Sequence, residues 1–203
     1  MSTAPAHPPF TGVILAGGLG RRMGGGDKGL RQLHGQPMVA WVIARFAPQV
    51  DELLVNANQN AGTYAQFGHP VIADVIGDHA GPLAGLHAGL TAATHTLVAT
   101  APCDSPFLPR DLVARLHAAL VAGDAQLAVA KTGDQPHPVF CLCRRDVLPH
   151  LQAFLAAGGR KIDAWYVSLR VVEVPFDDVA AAFGNINSPG ELAAAEQGPP
   201  PAV

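Results

Sequence analysis

Between Gly17 and Gly26 the chain places six glycines, and Arg21, Arg22 and Lys28 put three cations within eight positions. Glycines let the backbone approach a ligand closely and adopt positive φ. Successive free N–H groups in such a loop form an anion-binding concavity. With three cations added, the loop suits a polyphosphate better than a lone carboxylate. An ordinary surface turn needs far fewer glycines. Further on come Asn56 with Asn58, then Asp74, then Pro102-Cys103-Asp104-Ser105-Pro106. The two prolines stiffen the backbone around Asp104. A rigid carboxylate opposite a phosphate loop is a natural Mg²⁺ ligand, since Mg²⁺ usually takes one or two carboxylates plus substrate phosphates. The plainer readings of Asp104 are an N-cap or a loop ion pair.

Two common phosphate motifs fail here. A Walker A loop needs Gly-Lys followed by Ser or Thr, and Lys28 lies between Asp27 and Gly29. The dinucleotide fingerprint needs Gly-x-Gly-x-x-Gly, and Gly18, Gly20 and Gly24 leave one residue too many in the second gap. The acidic residue expected at the end of its second strand is replaced by Asn56. A P-loop GTPase and a Rossmann dehydrogenase are both disfavoured.

These residues need elements to position them. Short apolar runs predict strands at Gly12–Ala16, Glu52–Asn56, Val71–Ala73, Thr96–Thr100, Leu127–Lys131, Pro138–Cys143 and Arg170–Val174. Apolar on both faces, they read as parallel strands covered by helices. Helical patterns lie between them: Pro37–Ala47, Pro82–Ala93, Arg110–Ala122, Asp146–Ala157 and Pro189–Glu196, the last with Ser188 as N-cap. The alternation predicts an α/β fold, a mostly parallel sheet with helices on both faces. Ligands of such sheets bind outside the carboxyl ends of the strands. Gly17, Asn56, Asp74 and Asp104 each follow or end a predicted strand, so four polar positions converge on one crevice.

The length of 203 residues suits one compact domain, expected over 11–196, with irregular tails at 1–10 and 197–203. Charged residues make up 14%, against about 25% typically, which excludes charge-driven disorder and a charge-laced coiled coil. A net charge of -3, with no run of Lys or Arg as dense as in a nucleic-acid-binding domain, disfavours nucleic acid as a partner. No apolar stretch approaches the ~18 residues that span a bilayer, and the start lacks a signal-peptide pattern. Three cysteines are too few for a disulfide framework. Cys141 and Cys143 alternate onto one strand face and read as buried thiols, with Cys103 elsewhere. The nine histidines show no metal-ligand pattern. The expectation is a cytoplasmic protein with reduced thiols.

Leu15-Ala16-Gly17-Gly18, Arg22-Met23-Gly24-Gly25 and Asp27-Lys28-Gly29 together resemble the signature of the molybdenum cofactor guanylyltransferases. The resemblance continues in order through Val55-Asn56-Ala57-Asn58, Asp74, Gly81-Pro82-Leu83-Ala84-Gly85, Pro102 to Pro106, His137-Pro138, and Asn185-Ile186-Asn187-Ser188-Pro189. It runs from about Thr11 to Glu196. A Leu-Ala-Gly-Gly start alone is shared with many sugar nucleotidyltransferases; the ordered set is specific. The resemblance implies a Rossmann-like nucleotidyltransferase fold. It implies transfer of GMP from GTP to the phosphate of Mo-molybdopterin, with release of pyrophosphate. By similarity Leu15, Ala16, Gly17, Lys28, Asn56, Asp74 and Asp104 bind GTP, and Asp104 also binds Mg²⁺. Lys28 and Arg22 then stabilise the leaving group. Guanine offers N–H donors, for which Asp74 and the carbonyls of the first loop are equal candidates.

On the acceptor side His137 is expected near the pterin, Arg160 and Lys161 near the acceptor phosphate, and Asn185 and Asn187 at pterin edges or the dithiolene side. Each has a plainer reading: a turn residue before Pro138, a solvated helix start, and turn-stabilising amides respectively. A molybdenum-insertion protein and apo-molybdoenzymes are the partners that handover of a labile pterin implies. The competing readings are a cytidylyltransferase on the same pterin, a sugar nucleotidyltransferase, and a non-catalytic nucleotide carrier. The Gly17-Gly18 pair, where the cytidine relatives typically read Ala-Gly, and the Asp27-Lys28 pair favour guanine over cytidine, again by resemblance. The retention of both Lys28 and Asp104 argues for catalysis.

Overall fold

The computed structural model describes residues 7–17, 27–76 and 81–201. The strand β1 (Phe10–Leu15) is followed by a short antiparallel pair, β2 (Gln32–Leu33) and β3 (Gln36–Pro37), which leads into α1 (Met38–Phe46). Next come β4 (Glu52–Asn56), α2 (Ala61–Ala65), β5 (Val71–Ile72), α3 (Pro82–Ala92), β6 (Leu97–Pro102) and α4 (Leu112–Ala122). The hairpin of β7 (Leu127–Thr132) and β8 (Gln135–Arg144) precedes α5 (Leu148–Ala156), α6 (Ile162–Tyr166), β9 (Val171–Pro175) and α7 (Pro189–Gln197).

The expected α/β architecture is present. Seven strands form one sheet in the order β5-β4-β1-β6-β8-β7-β9. All pairings are parallel except those of β8, which runs antiparallel to both β6 and β7. The cause is local: only Gly133 and Asp134 separate β7 from β8, and Gly133 takes φ 52°. A two-residue connection can only return the chain antiparallel. Strand residues alternate between two cores. Ile14, Val55 and Ala99 face α1 and α4, whereas Val13, Leu54 and Val98 face α3 and α5. Burying each such side chain stabilises the fold by roughly 1.5–3 kcal/mol. A third, smaller cluster joins Leu33, Met38 and Trp41 to Ile186, tying the β2–β3 pair to the C-terminal segment.

Because β1, β4, β5, β6, β7 and β9 all run the same way, their carboxyl ends share one rim. The start of β8 lies on that rim too. The register of β7 against β8 slips between Val129, opposite Cys141, and Ala130, opposite His137. This leaves Pro138, Val139 and Phe140 out of the ladder. Buried carbonyls need partners. The Pro138 carbonyl accepts from Tyr166 Oη at 2.5 Å, and the Val139 carbonyl from Thr100 Oγ1 at 2.7 Å. The bulge is thereby anchored, and it sets the direction of His137. Expected as a six-residue strand, β8 is ten residues long because the chain continues past this slip.

Candidate active site

The first strand's hydrogen bonding ends where the glycine-rich segment begins. Ala16 N–H donates to the Asn56 carbonyl at 2.8 Å, and Cys103 N–H donates to the Leu15 carbonyl at 3.1 Å. Gly17 is the last described residue before the loop, and Arg22, with Gly18 to Gly26, lies outside the described residues. A Cβ on Gly17 would stand 3.0 Å from Asn58 Nδ2 and 3.4 Å from Asn56 Oδ1. The residue type is therefore set by the close approach of the neighbouring strand end.

Where the chain is next described, Asp27 caps a 3-10 turn at Lys28–Leu30, accepting from Gly29 N–H at 3.1 Å. Its carboxylate also accepts from Tyr64 Oη and from Asn60 Nδ2. Tyr64 is fully buried on α2, and burial, ahead of its acidic neighbours, pushes its hydroxyl pKa up. It stays a hydrogen-bond donor. Lys28 is thus launched from a turn pinned at its start.

Lys28 Nζ stands 3.3 Å from Asp104 Oδ2 and donates to Asn187 Oδ1 at 2.6 Å. Asp104 follows β6 and is only 6% exposed. Burial raises its carboxyl pKa, and the adjacent Lys28 ammonium works against that. The segment 185–187 is stitched to the same loop. Ile186 N–H donates to the Asp104 carbonyl at 2.9 Å, and Ser105 Oγ donates to Asn185 Oδ1 at 2.6 Å. Ser188 and Glu191 then close a capping box on α7. The two asparagines are therefore engaged by protein partners, beyond a turn-stabilising role.

On the other flank, Asn56 Nδ2 donates to Asp74 Oδ1 at 2.9 Å, and Asn58 Nδ2 to Asp74 Oδ2 at 2.7 Å. Asp74 N–H returns a bond to Asn58 Oδ1 at 2.8 Å. Asn56 is 2% exposed, whereas Asn58 reaches solvent.

Beside Asn185 and Asn187 opens a cavity of about 540 Å³, also lined by Thr132, His137, Phe140 and Phe183. His137 lies in β8, not in a turn, and stacks on Phe183 with ring centroids 4.9 Å apart. Its Nε2 is 2.7 Å from Thr132 Oγ1, and burial lowers its pKa. Arg160 and Lys161 do not line this cavity. Arg160 Nη1 donates instead to the carbonyls of Leu155 and Gly159 at the end of α5, and exposed Lys161 precedes α6.

Lys28, Asp104, Asn185, Asn187 and His137 thus gather on one side of the rim, with Asn56 and Asp74 on the other. Tyr64, Thr132 and Phe183 escaped the sequence reading. A tyrosine in a five-residue helix and a phenylalanine near a sheet end carry no local signal of their function. Among the described residues no group of three or more His, Cys, Asp or Glu could hold a metal ion. A single carboxylate such as Asp104 fits Mg²⁺ only when substrate phosphates complete the donor set. No helix among the described residues is long and apolar enough to cross a membrane. Cys103, Cys141 and Cys143 are free and buried.

A mostly parallel α/β sheet that carries the Lys28–Asp104 pair at its carboxyl rim, in a chain whose first strand runs into a glycine-rich sequence, is the pattern of a nucleotidyltransferase. Residues 12–171 match the MobA-like NTP transferase domain. The chain belongs to that family, and within it to the molybdenum cofactor guanylyltransferases. It is 53% identical over 196 residues to the molybdenum cofactor guanylyltransferase of Cupriavidus taiwanensis, covering 94% of this chain and 98% of that one. It is 51% identical over 203 residues to the corresponding Burkholderia ambifaria protein, covering 96% and 98%. Among solved structures, molybdopterin-guanine dinucleotide biosynthesis protein A from Archaeoglobus fulgidus matches with a TM-score of 0.77 and 25% identity, over 92% of this chain and 97% of that chain. The 4-diphosphocytidyl-2C-methyl-D-erythritolsynthase of Anaerococcus prevotii reaches 0.70 at 12% identity, over 94% and 97%, and shares the fold alone.

Proposed function

We propose that this chain transfers GMP from GTP to the terminal phosphate of Mo-molybdopterin, giving the guanine dinucleotide cofactor and pyrophosphate. One observation carries the reading beyond family membership: the Lys28–Asp104–Asn187 junction at the carboxyl rim, beside a cavity large enough for a second substrate. The catalytic unit in this reading spans 11–196 and works in the cytoplasm, where three buried free thiols are at ease.

The acceptor phosphate is already a nucleophile, so no covalent intermediate on the protein is needed. Catalysis then consists of aligning an acceptor oxygen in line with the α-phosphorus and stabilising charge on the leaving pyrophosphate. Backbone at Leu15, Ala16 and Gly17 borders the nucleotide, with Asn56 and Asp74 toward the base. Lys28 and Arg22 are assigned to stabilising charge on the leaving phosphates, where positioned cations contribute most. Asp104 would hold Mg²⁺ together with substrate phosphates, which supplies charge neutralisation at the reacting oxygens when bound. His137, Asn185 and Asn187 border the acceptor, which is handed over from a molybdenum-insertion protein and onward to apo-molybdoenzymes. Arg160 and Lys161 take no part in this reading.

Calorimetric titration with GTP and with CTP, each with Mg²⁺, tests the nucleotide half. Binding of GTP with weak or absent CTP binding is expected. Preference for CTP would overturn the guanylyl assignment and point to the cytidine branch.

A further inference from the structure

We propose that Asn58 is a positioning residue for base selection, acting by holding the Asp74 carboxylate in one orientation; this rests on the GTP reading above. Asn58 makes two bonds to one residue. Its Nδ2 donates to Asp74 Oδ2 at 2.7 Å, and its Oδ1 accepts from Asp74 N–H at 2.8 Å. Asn56 holds the other carboxylate oxygen at 2.9 Å. The two amides thus occupy one lone-pair site on each oxygen and fix the carboxylate plane. Each ionised carboxylate oxygen accepts more than one bond, so both keep capacity toward a ligand.

The placement is not explained by local structure. Asn58 is exposed, and its partner lies 16 positions away on the next strand end. It does not cap α2, whose N-cap is Asn60 without a side-chain bond. It also lies close to Gly17 after β1, because its Nδ2 sits 3.0 Å from where a Gly17 Cβ would be. Three strand ends of the nucleotide crevice therefore meet at this side chain.

A carboxylate with a fixed plane presents two parallel acceptors. Guanine presents two adjacent donors, N1–H and the 2-amino group. Hypoxanthine keeps only the first. Cytosine sets acceptors beside its single amino group, and these would oppose the carboxylate. A preorganised acceptor pair discriminates more strongly than a mobile one, because the wrong base leaves a polar group unpaired.

The test compares GTP and ITP binding by calorimetry in wild type, Asn58→Ala and Asn58→Asp. Asn58→Asp is the sharper variant. It keeps the acceptor for Asp74 N–H but replaces the donor by a second carboxylate oxygen. Both variants are expected to keep the wild-type melting temperature, since the side chain is exposed. GTP affinity is expected to fall about tenfold, as for loss of one charge-assisted contact. ITP affinity should fall less, so the GTP-to-ITP ratio moves toward one. With acceptor present, KM for GTP should rise while kcat at saturating GTP stays within about threefold, the pattern of lost uniform binding. An unchanged GTP-to-ITP ratio in both variants, with wild type still binding GTP, overturns this inference alone. A folded wild-type chain that does not bind GTP overturns the functional reading together with it.

Discussion

Gly85 on α3 passes so close to Asn56 that a Cβ there would lie 2.4 Å from Asn56 Oδ1 and 2.8 Å from Leu15 Cδ2. The helix can pack against the end of β4 only because this residue has no side chain. Asn56 has little room to yield, since it is buried and bonded to Asp74. Gly85→Ala is expected to cost about 1–3 kcal/mol by overpacking. It should lower the melting temperature by several degrees and weaken GTP binding, both measurable on one preparation. Wild-type binding in Gly85→Ala would mean that Asn56 can shift without consequence.

Tyr64 and Asp27 lead to a second expectation. Tyr64→Phe keeps the buried ring and removes the hydroxyl that holds the carboxylate at the start of the Lys28 turn. A lost bond to a charged group costs about 1.5–3 kcal/mol. Urea unfolding should show that loss, and turnover should drop as Lys28 loses its fixed origin. Equal turnover in Tyr64→Phe would detach Asp27 from the catalytic geometry.

The Lys28–Asp104 pair should behave as a coupled unit. Its side chains are 22% and 9% exposed, so it is not fully removed from water. Removing one partner from a fully buried pair costs about 3–5 kcal/mol, and the residual exposure here lowers the expectation to about 2. Lys28→Met and Asp104→Asn should each reduce turnover by about 10²–10³-fold. A double-mutant cycle in stability should give a coupling energy above ~0.5 kcal/mol. Additive stability losses would show the contact to be incidental.

Two histidines give the acid side of the stability profile. Burial lowers the pKa of His87, with Asp74 opposing, and burial lowers that of His137. Each binds a proton more readily unfolded than folded. Their contribution is therefore present above the ordinary value of 6.5 and lost as pH falls through the folded pKa values. His87 is 6% exposed and its Nδ1 has no hydrogen-bond partner among the described residues, so protonation there is poorly accommodated. Melting temperature should decline below pH 6.5, and His87→Leu should flatten that decline. An equally steep profile in His87→Leu would assign it to other groups.

Sequence periodicity located all seven strands of the sheet, because buried parallel strands are apolar on both faces. Glu52–Asn56 was legible to the residue; β1 began earlier, at Phe10, whose ring is 3% exposed. The antiparallel course of β8 was hidden, since an apolar run carries no direction and its Gly133-Asp134 turn looked like any loop. The helices α2 and α6 were missed because five residues cannot establish a 3.6 period. Lys28 and Asp104 stood out by residue type and by following strands. The bonds of Lys28 to Asn187 and of Ser105, beside Asp104, to Asn185 could not be read, as those contacts join residues 159 and 80 positions apart. Arg160 and Lys161 stood out because adjacent cations look like a phosphate clamp; in the fold Arg160 donates to carbonyls at the end of α5, and neither residue lines the cavity beside Asn185.

The bond from Lys28 to Asn187 also bears on how the enzyme comes into being. A ribosome delivers the glycine-rich segment after the first strand, and the last sheet strand by Pro175. The amide that steadies the lysine, and the Ile186 N–H that grips the Asp104 loop, emerge only afterwards. All the strands of the sheet are therefore synthesised before the residues that complete the site. A message cut just upstream of Asn185 encodes every strand but not the downstream anchor of the lysine.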